Sequence, residues 1–185
     1  MARHDHPPRP ADPARLVLKT GCDTNATFRY ASRLRSQTYR VEVAQPLDTE
    51  EFSRWRAQAA AAAETAELAS GGGRHEWACF LSEQAAQLGV KGLLHALGLE
   101  AWGHDLAVLE SRARSEVGGG WPEELTEAAA RLSRHYIPAR YPDAHASGAP
   151  IAHYTRADAE QAAHDAASIL AAIDATWNEL GGETP

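Results

Sequence analysis

Apolar side chains recur at three- and four-residue spacing along most of the chain after residue 47, which is the pattern of amphipathic helices. Stretches that break this period are short and rich in glycine or proline, as connections between helices are. The pattern predicts five helices, at approximately 48–70, 75–97, 103–115, 122–136 and 155–180.

The predicted helix starts carry recognisable capping residues. Asp48 is followed three positions later by Glu51, and Thr155 is followed three positions later by Asp158, so both pairs fit a capping box. Pro122 stands at a first helical turn, where its missing N–H costs nothing. These signals place the starts more firmly than the periodicity alone.

The second helix is apolar around most of its circumference, as a central helix requires. We expect Trp77 and Phe80 on this helix, and Trp177 on the last, to be core aromatics. The polar exceptions form one stripe at four-residue spacing, which predicts a solvent-facing strip or a contact with a second subunit or a nucleotide. The stripe consists of Glu83, Gln87, Lys91 and His95.

Five helices with short connections and no convincing sheet predict an all-α fold, an antiparallel up-and-down bundle of four to five helices. We assign 48–181 to this bundle and 182–185 to a tail. Residues 1–47 lack a helical period and are predicted to be a basic, disordered or extended arm.

Charge is unevenly distributed between these parts. The first 47 residues carry eight basic and four acidic side chains, a balance of +4, whereas the remainder carries a balance of −11, which together give the net charge of −7. An acidic body lacks the broad positive surface of a non-specific nucleic-acid binder. Any contact with RNA would therefore be local.

Hydropathy and cysteine content indicate a cytoplasmic protein with no membrane association. No stretch is long and apolar enough for a transmembrane helix, and the first ten residues lack the apolar segment of a secretory signal. Cys79 lies in an apolar run and is predicted to be a reduced core residue. The sequence indicates no metal site and no cofactor.

The segment "RHYIPARYPDAH", residues 134–145, differs in character from the helices around it. Pro138 and Pro142 exclude a regular helix here, so Arg140 through His145 lie on a connection between the fourth and fifth helices. Arg140 can stabilise charge developing on a phosphodiester. His145 can act in proton transfer, because imidazole has an unperturbed pKa of about 6.5. Arginine–histidine pairs at this spacing also arise by chance, so the spacing alone does not establish a site.

The order of four stretches resembles the HEPN family (higher eukaryotes and prokaryotes nucleotide-binding domains). The stretches are "WACFLSEQAAQLGVKGLL" (77–94), "GHDL" (103–106), "RHYIPARYPDA" (134–144) and "YTRADAEQAAHDAASIL" (154–170). The resemblance implies an all-α homodimer whose ribonuclease members carry Arg and His, four to six residues apart, in a composite site near the subunit interface. Carried onto this chain, the motif falls on Arg140 and His145.

The resemblance leaves two functions open. Many members are toxins paired with a small nucleotidyltransferase antitoxin, which implies a metal-independent endoribonuclease acting on RNA. Two positions depart from the toxin pattern, since Tyr141 follows the arginine where a small polar residue is common, and Ser147 replaces a tyrosine. The alternative is a non-catalytic nucleotide-binding or partner-binding accessory module of a nucleotidyltransferase.

Six further residues are candidates for binding phosphate or nucleotide. His104 and Asp105 begin the third helix, although a helix cap at Asp105 and a hydrogen bond from His104 within the bundle are the favoured interpretation. Arg134 and His135 lie at the exit of the fourth helix, where a solvated helix end is the alternative interpretation. The last two candidates, Tyr141 and Asp143, lie in the connection.

Overall fold

A computed structural model describes residues 46–182, in which there are five helices and no strand. The α4–α5 connection contains two single 3₁₀ turns, Pro142–Ala144 and Pro150–Ala152. The all-α prediction is confirmed. The helices are α1 (Thr49–Gly71), α2 (His75–Ala96), α3 (Leu106–Glu116), α4 (Glu123–Ser133) and α5 (Arg156–Glu179).

Side-chain caps fix the beginnings of three helices. The Asp48 carboxylate accepts a hydrogen bond from the Glu51 amide at 2.9 Å. Thr155 and Asp158 form a reciprocal capping box at the start of α5. Asp105 caps α3 by accepting hydrogen bonds from two backbone amides, so this helix begins three residues later than its pattern suggests.

Helix α2 is the central element and packs against α1, α3, α4 and α5. Glycines on α2 allow its neighbours to approach closely. A Cβ atom at Gly92 would lie only 2.7 Å from Cβ of Trp55 on α1, and one at Gly89 would lie 2.5 Å from Leu170 on α5. Small residues at these positions therefore determine how close the helices pack.

Helix α5 is fixed to its neighbours by aromatic and ionic contacts. The rings of Phe52 and Trp177 stack at 4.0 Å between α1 and α5, and both side chains are fully buried. The Arg131 guanidinium on α4 donates two hydrogen bonds, at 2.8 and 2.9 Å, to the buried Asp165 carboxylate on α5. The Arg131–Asp165 pair therefore ties together α4 and α5, the two helices that the connection joins.

Two predictions about α2 are wrong. Glu83 and Gln87 are buried rather than solvent-facing, because this part of the stripe faces the loop before α3, whereas Lys91 and His95 are half-buried. Trp77 is 45 % exposed, because it lies in the first turn of α2, whereas Trp177 is in the core as predicted.

Other parts of the sequence prediction have mixed outcomes. Helix α4 ends at Ser133 rather than near Tyr136, because Pro138 cannot continue the helix. Cys79 is buried as expected, and burial raises the pKa of its thiol to about 12. Except for its last two residues, the predicted arm, 1–47, lies outside the described range. Within that range no helix has the length and hydropathy needed to cross a membrane.

Candidate functional site around Arg140 and His145

Pro138 shapes the backbone that carries the candidate site. It has no N–H and so cannot continue the hydrogen-bond ladder of α4. The chain after α4 instead forms turns, in which the Arg140 amide donates to the carbonyl of Ile137 at 3.1 Å. The carbonyl oxygens of Tyr136 and Pro138 are left available to side chains.

The Arg140 side chain is held by one of these carbonyls and by three aromatic rings. Its Nε donates to the Tyr136 carbonyl at 2.7 Å. Its guanidinium carbon lies 4.3 Å from the Tyr136 ring centre, 4.6 Å from that of Phe80 and 5.1 Å from that of Tyr141. Among residues 46–182 the two terminal nitrogens have no acceptor, and neither is buried. The charge is therefore positioned but not neutralised by an ion pair.

The second carbonyl positions His145. Nε2 of this imidazole lies 2.8 Å from the Pro138 carbonyl oxygen. A carbonyl can only accept a hydrogen bond, so Nε2 carries the proton and Nδ1 holds the lone pair of the neutral ring. No described residue hydrogen-bonds to Nδ1, and this atom is not buried. His145 thus presents an unengaged proton acceptor.

The His145 ring is also held face to face against a second imidazole. The rings of His145 and His153 are parallel within 3° and their centres are 4.1 Å apart. His153 is itself anchored, since its Nε2 lies 2.7 Å from the Ser147 carbonyl oxygen. Gly148 adopts a φ of +77°, which favours glycine, and this allows the turn that brings Ser147 back towards His153. The loop 145–153 therefore fixes the plane of the His145 ring.

Arg140 and His145 are anchored to the same short backbone segment. Their side chains hydrogen-bond to carbonyls only two residues apart, those of Tyr136 and Pro138. Arg140 extends towards the aromatic rings near α2, and His145 extends towards His153. A fixed cation and a proton acceptor held by one segment suit chemistry at a phosphodiester.

A buried carboxyl group interacts electrostatically with Arg140. Glu83 is fully buried and accepts hydrogen bonds from the side-chain amides of Gln84, at 2.6 Å, and Gln87, at 2.8 Å. Burial raises the pKa of Glu83 to about 7, and the charges of Arg140 and Lys91 partly oppose this rise. The charge beside Arg140 therefore changes near neutral pH.

His104 connects this carboxyl group to the aromatic rings. Its Nδ1 lies 3.1 Å from the side-chain oxygen of Gln87, and its ring stacks on Tyr136 with the centres 5.1 Å apart. The neighbouring Asp105 caps α3 and makes no contact with Arg140 or His145 in the described structure. The favoured interpretation of both residues from the sequence is confirmed.

The remaining predicted site residues divide into two groups. Tyr141 lies against Arg140, and His135 lies against Tyr154, whose ring in turn contacts His145. Burial lowers the pKa of His135, so this imidazole is predominantly neutral at pH 7. The second group, Arg134 and Asp143, is exposed, and no side-chain partner is recorded for either among the described residues.

Three contributors to the site are not found by sequence reasoning, namely Phe80, Glu83 and His153. For Glu83 a signal exists, because a polar residue on a helix that is otherwise apolar all round has a high chance of being buried. No comparable signal exists for His153, since its stacking depends on the path of an irregular loop.

Residues 46–182 include no group of three or more His, Cys, Asp or Glu side chains arranged to hold a metal ion.

The chain is similar to one protein family and to three solved structures. A family model described as the HEPN domain matches residues 52–176. Three solved structures are similar along nearly their whole length. TT1696 from Thermus thermophilus is 41 % identical with a TM-score of 0.65, covering 68 % of this chain and 98 % of its own. ST0689, an archaeal HEPN homologue, is 36 % identical with a TM-score of 0.56, covering 67 % and 95 %.

The third structure, an HEPN domain protein (TM0613) from Thermotoga maritima, is 29 % identical with a TM-score of 0.55, covering 68 % of this chain and 98 % of its own. A comparison with curated proteins finds no match. The family match spans more than half of the chain, and the solved relatives align over almost all of their length. The chain belongs to the HEPN domain family.

Proposed function

We propose that this protein is a metal-independent endoribonuclease whose active groups are Arg140 and His145. The observation that supports this most strongly is the state of the two side chains. Arg140 is half-buried without an ion-pair partner within the described residues, and the Nδ1 atom of His145 is unengaged. Unpaired charge that is held in place and kept from neutralisation is typical of a site that binds an anion.

The proposed reaction is a transfer of the phosphodiester within the RNA. Nδ1 of His145 takes the proton of a ribose 2′-hydroxyl, and the 2′-oxygen forms a bond to phosphorus as the bond to the 5′-oxygen breaks. The imidazolium formed in this step gives the proton to the leaving 5′-oxygen. Arg140 stabilises the additional negative charge on the phosphoryl oxygens. The products are a 2′,3′-cyclic phosphate and a 5′-hydroxyl.

Membership of the HEPN family supports the proposed biological setting. We propose a homodimer in which two copies build the site, acting as a toxin-like subunit restrained by a small nucleotidyltransferase antitoxin. The acidic character of the chain is consistent with local contact with RNA rather than general affinity for nucleic acid.

An RNA-cleavage assay in the presence of EDTA tests this function. We expect the wild type to cut single-stranded RNA, and His145→Ala to lose about 10²- to 10⁴-fold in rate, the usual contribution of a proton-transfer group. His164→Ala is the matched control, because His164 is an exposed imidazole on α5 with no recorded contact to Arg140 or His145, and should have no effect. Cleavage that persists after replacing both Arg140 and His145 would refute the proposal. RNA that is bound but left intact by the wild type would instead favour the accessory binding module.

A further inference from the structure

Three aromatic side chains are linked by contacts at and near Arg140. Trp77 contacts Phe80 edge to face, with ring centres 6.1 Å apart, and the Arg140 guanidinium carbon lies 4.6 Å from the ring centre of Phe80 and 5.1 Å from that of Tyr141. Trp77 is 45 % exposed and Tyr141 is 48 % exposed. We call Trp77, Phe80 and Tyr141 the aromatic strip.

The strip offers solvent two kinds of surface within the reach of one nucleotide. The exposed rings of Trp77 and Tyr141 provide flat apolar surface, and the terminal nitrogens of Arg140, which lies beside Phe80 and Tyr141, provide positive charge without an ion-pair partner among the described residues. An unpaired nucleotide carries the complementary pair, a flat base and an anionic phosphate. We infer that the aromatic strip is a nucleobase-binding subsite for single-stranded RNA, in which a base stacks on Trp77 while its phosphate binds Arg140.

This subsite deepens the proposed function and rests on its assignment of Arg140 as a phosphate-binding group. A base in a duplex is stacked between its neighbours and has no free face, so the subsite selects unpaired RNA. A second copy of this chain is the alternative occupant, and the effect of Trp77→Ala on the oligomeric state distinguishes it from RNA.

Binding to a short unstructured RNA labelled with a fluorophore tests the subsite. The parent protein carries His145→Ala, so that the RNA stays intact during the titration. Adding Trp77→Ala should weaken binding by about five- to 150-fold, the range for loss of one stacked base, whereas Trp77→Phe should restore most of the affinity. The matched control is Trp102→Ala, since Trp102 is 82 % exposed but has no recorded ring contact with Arg140.

Several outcomes would overturn the subsite. They are an affinity of the Trp77→Ala variant within about twofold of its parent, equal losses in the Trp77→Ala and Trp102→Ala variants, and the absence of saturable binding by the parent. If Trp77→Ala impairs folding, as judged by circular dichroism, Tyr141→Ala provides the same test from the other end of the strip. Conversion of a dimer to a monomer by Trp77→Ala in sedimentation would show that the strip is a subunit interface, which also overturns the proposal.

The subsite and the proposed ribonuclease activity can fail separately. If the wild type leaves RNA intact but Trp77→Ala selectively weakens binding, the subsite stands and the ribonuclease proposal falls. If the wild type cleaves RNA and Trp77→Ala leaves KM unchanged, the ribonuclease proposal stands and the subsite falls.

Discussion

The carboxyl group of Glu83 is the charge most sensitive to pH near Arg140. Because burial raises its pKa to about 7, the folded chain keeps a proton that the unfolded chain loses above a pH of about 4.5. The stabilising effect of this proton is therefore complete below a pH of about 4.5 and is lost as the pH rises through about 7. The ionised form, which exists above that pH, places a negative charge behind the guanidinium.

Replacing Glu83 by Gln should remove this pH dependence, because the amide resembles the protonated acid. We expect the free energy of unfolding of the wild type to fall, relative to that of Glu83→Gln, by about 1–3 kcal/mol between pH of about 5 and about 8. Chemical denaturation at a series of pH values measures this difference. Glu64→Gln, at an exposed position on α1, is the control. If the free energy of unfolding of the wild type and of Glu83→Gln varied with pH in the same way, Glu83 would not be the group that causes the pH dependence.

The contacts that bury Glu83 could not be predicted from the sequence. Helical periodicity identifies which residues share a face but not what that face contacts. In this protein the face of Glu83 and Gln87 meets the loop before α3, where Gln87 hydrogen-bonds to His104. The cap at Asp105, by contrast, could be predicted, because capping depends only on neighbouring residues.

Packing between α1 and α2 depends on the absence of a side chain at Gly92. A Cβ there would lie 2.7 Å from Cβ of Trp55, an atom close to the α1 backbone that cannot rotate away. We expect Gly92→Ala to lower the free energy of unfolding by about 1–3 kcal/mol from overpacking, even though alanine favours helix by about 1 kcal/mol. Thermal and chemical unfolding measure the change.

Gly71→Ala provides the matched control for this prediction. Gly71 ends α1, and a Cβ at this position would meet nothing within 4 Å. The substitution should leave stability unchanged or slightly increased. Equal effects of the two substitutions would show that helix propensity, rather than close packing, governs these positions.

The limits of α1, α2 and α5 could be predicted to within about two residues, because caps and glycines mark them. The end of α4 could not. Its apolar period continues to Tyr136, but Pro138 removes the N–H that would bond to the carbonyl of Arg134, so the helix ends at Ser133. Because the helix ends early, the carbonyls of Tyr136 and Pro138 are free to hold Arg140 and His145. The helix boundary that the sequence misplaces is therefore the one next to the candidate site.

In the assembled protein, we propose that two copies of the bundle share one reaction site. Mixed dimers of Arg140→Ala and His145→Ala chains test this arrangement, because each mixed dimer contains one intact arginine and one intact histidine on different subunits. We expect the mixture to cleave RNA at least about tenfold faster than either variant alone, provided that subunits exchange. No gain in rate from mixed dimers, isolated with different affinity tags, would show that the two groups must lie on the same chain.

The bundle itself was predictable, because five amphipathic stretches with short connections have few ways to bury their apolar faces. The exposure of Trp77 was not. This residue has the same apolar period as its buried neighbours, but it lies in the first turn of α2 and remains 45 % exposed. Which turns of a central helix extend beyond its neighbours depends on their relative lengths and offsets, which periodicity does not specify.

The most direct test of the account is the chemical identity of the RNA ends produced by the wild-type protein in EDTA, determined by mass spectrometry. Attack by the 2′-hydroxyl with His145 as the base predicts a 2′,3′-cyclic phosphate on one fragment and a 5′-hydroxyl on the other. It also predicts that a 2′-deoxy substitution at the cleaved nucleotide blocks the reaction. A 3′-hydroxyl paired with a 5′-phosphate, or RNA that remains intact, would contradict the assignment of Arg140 and His145 as the reacting pair.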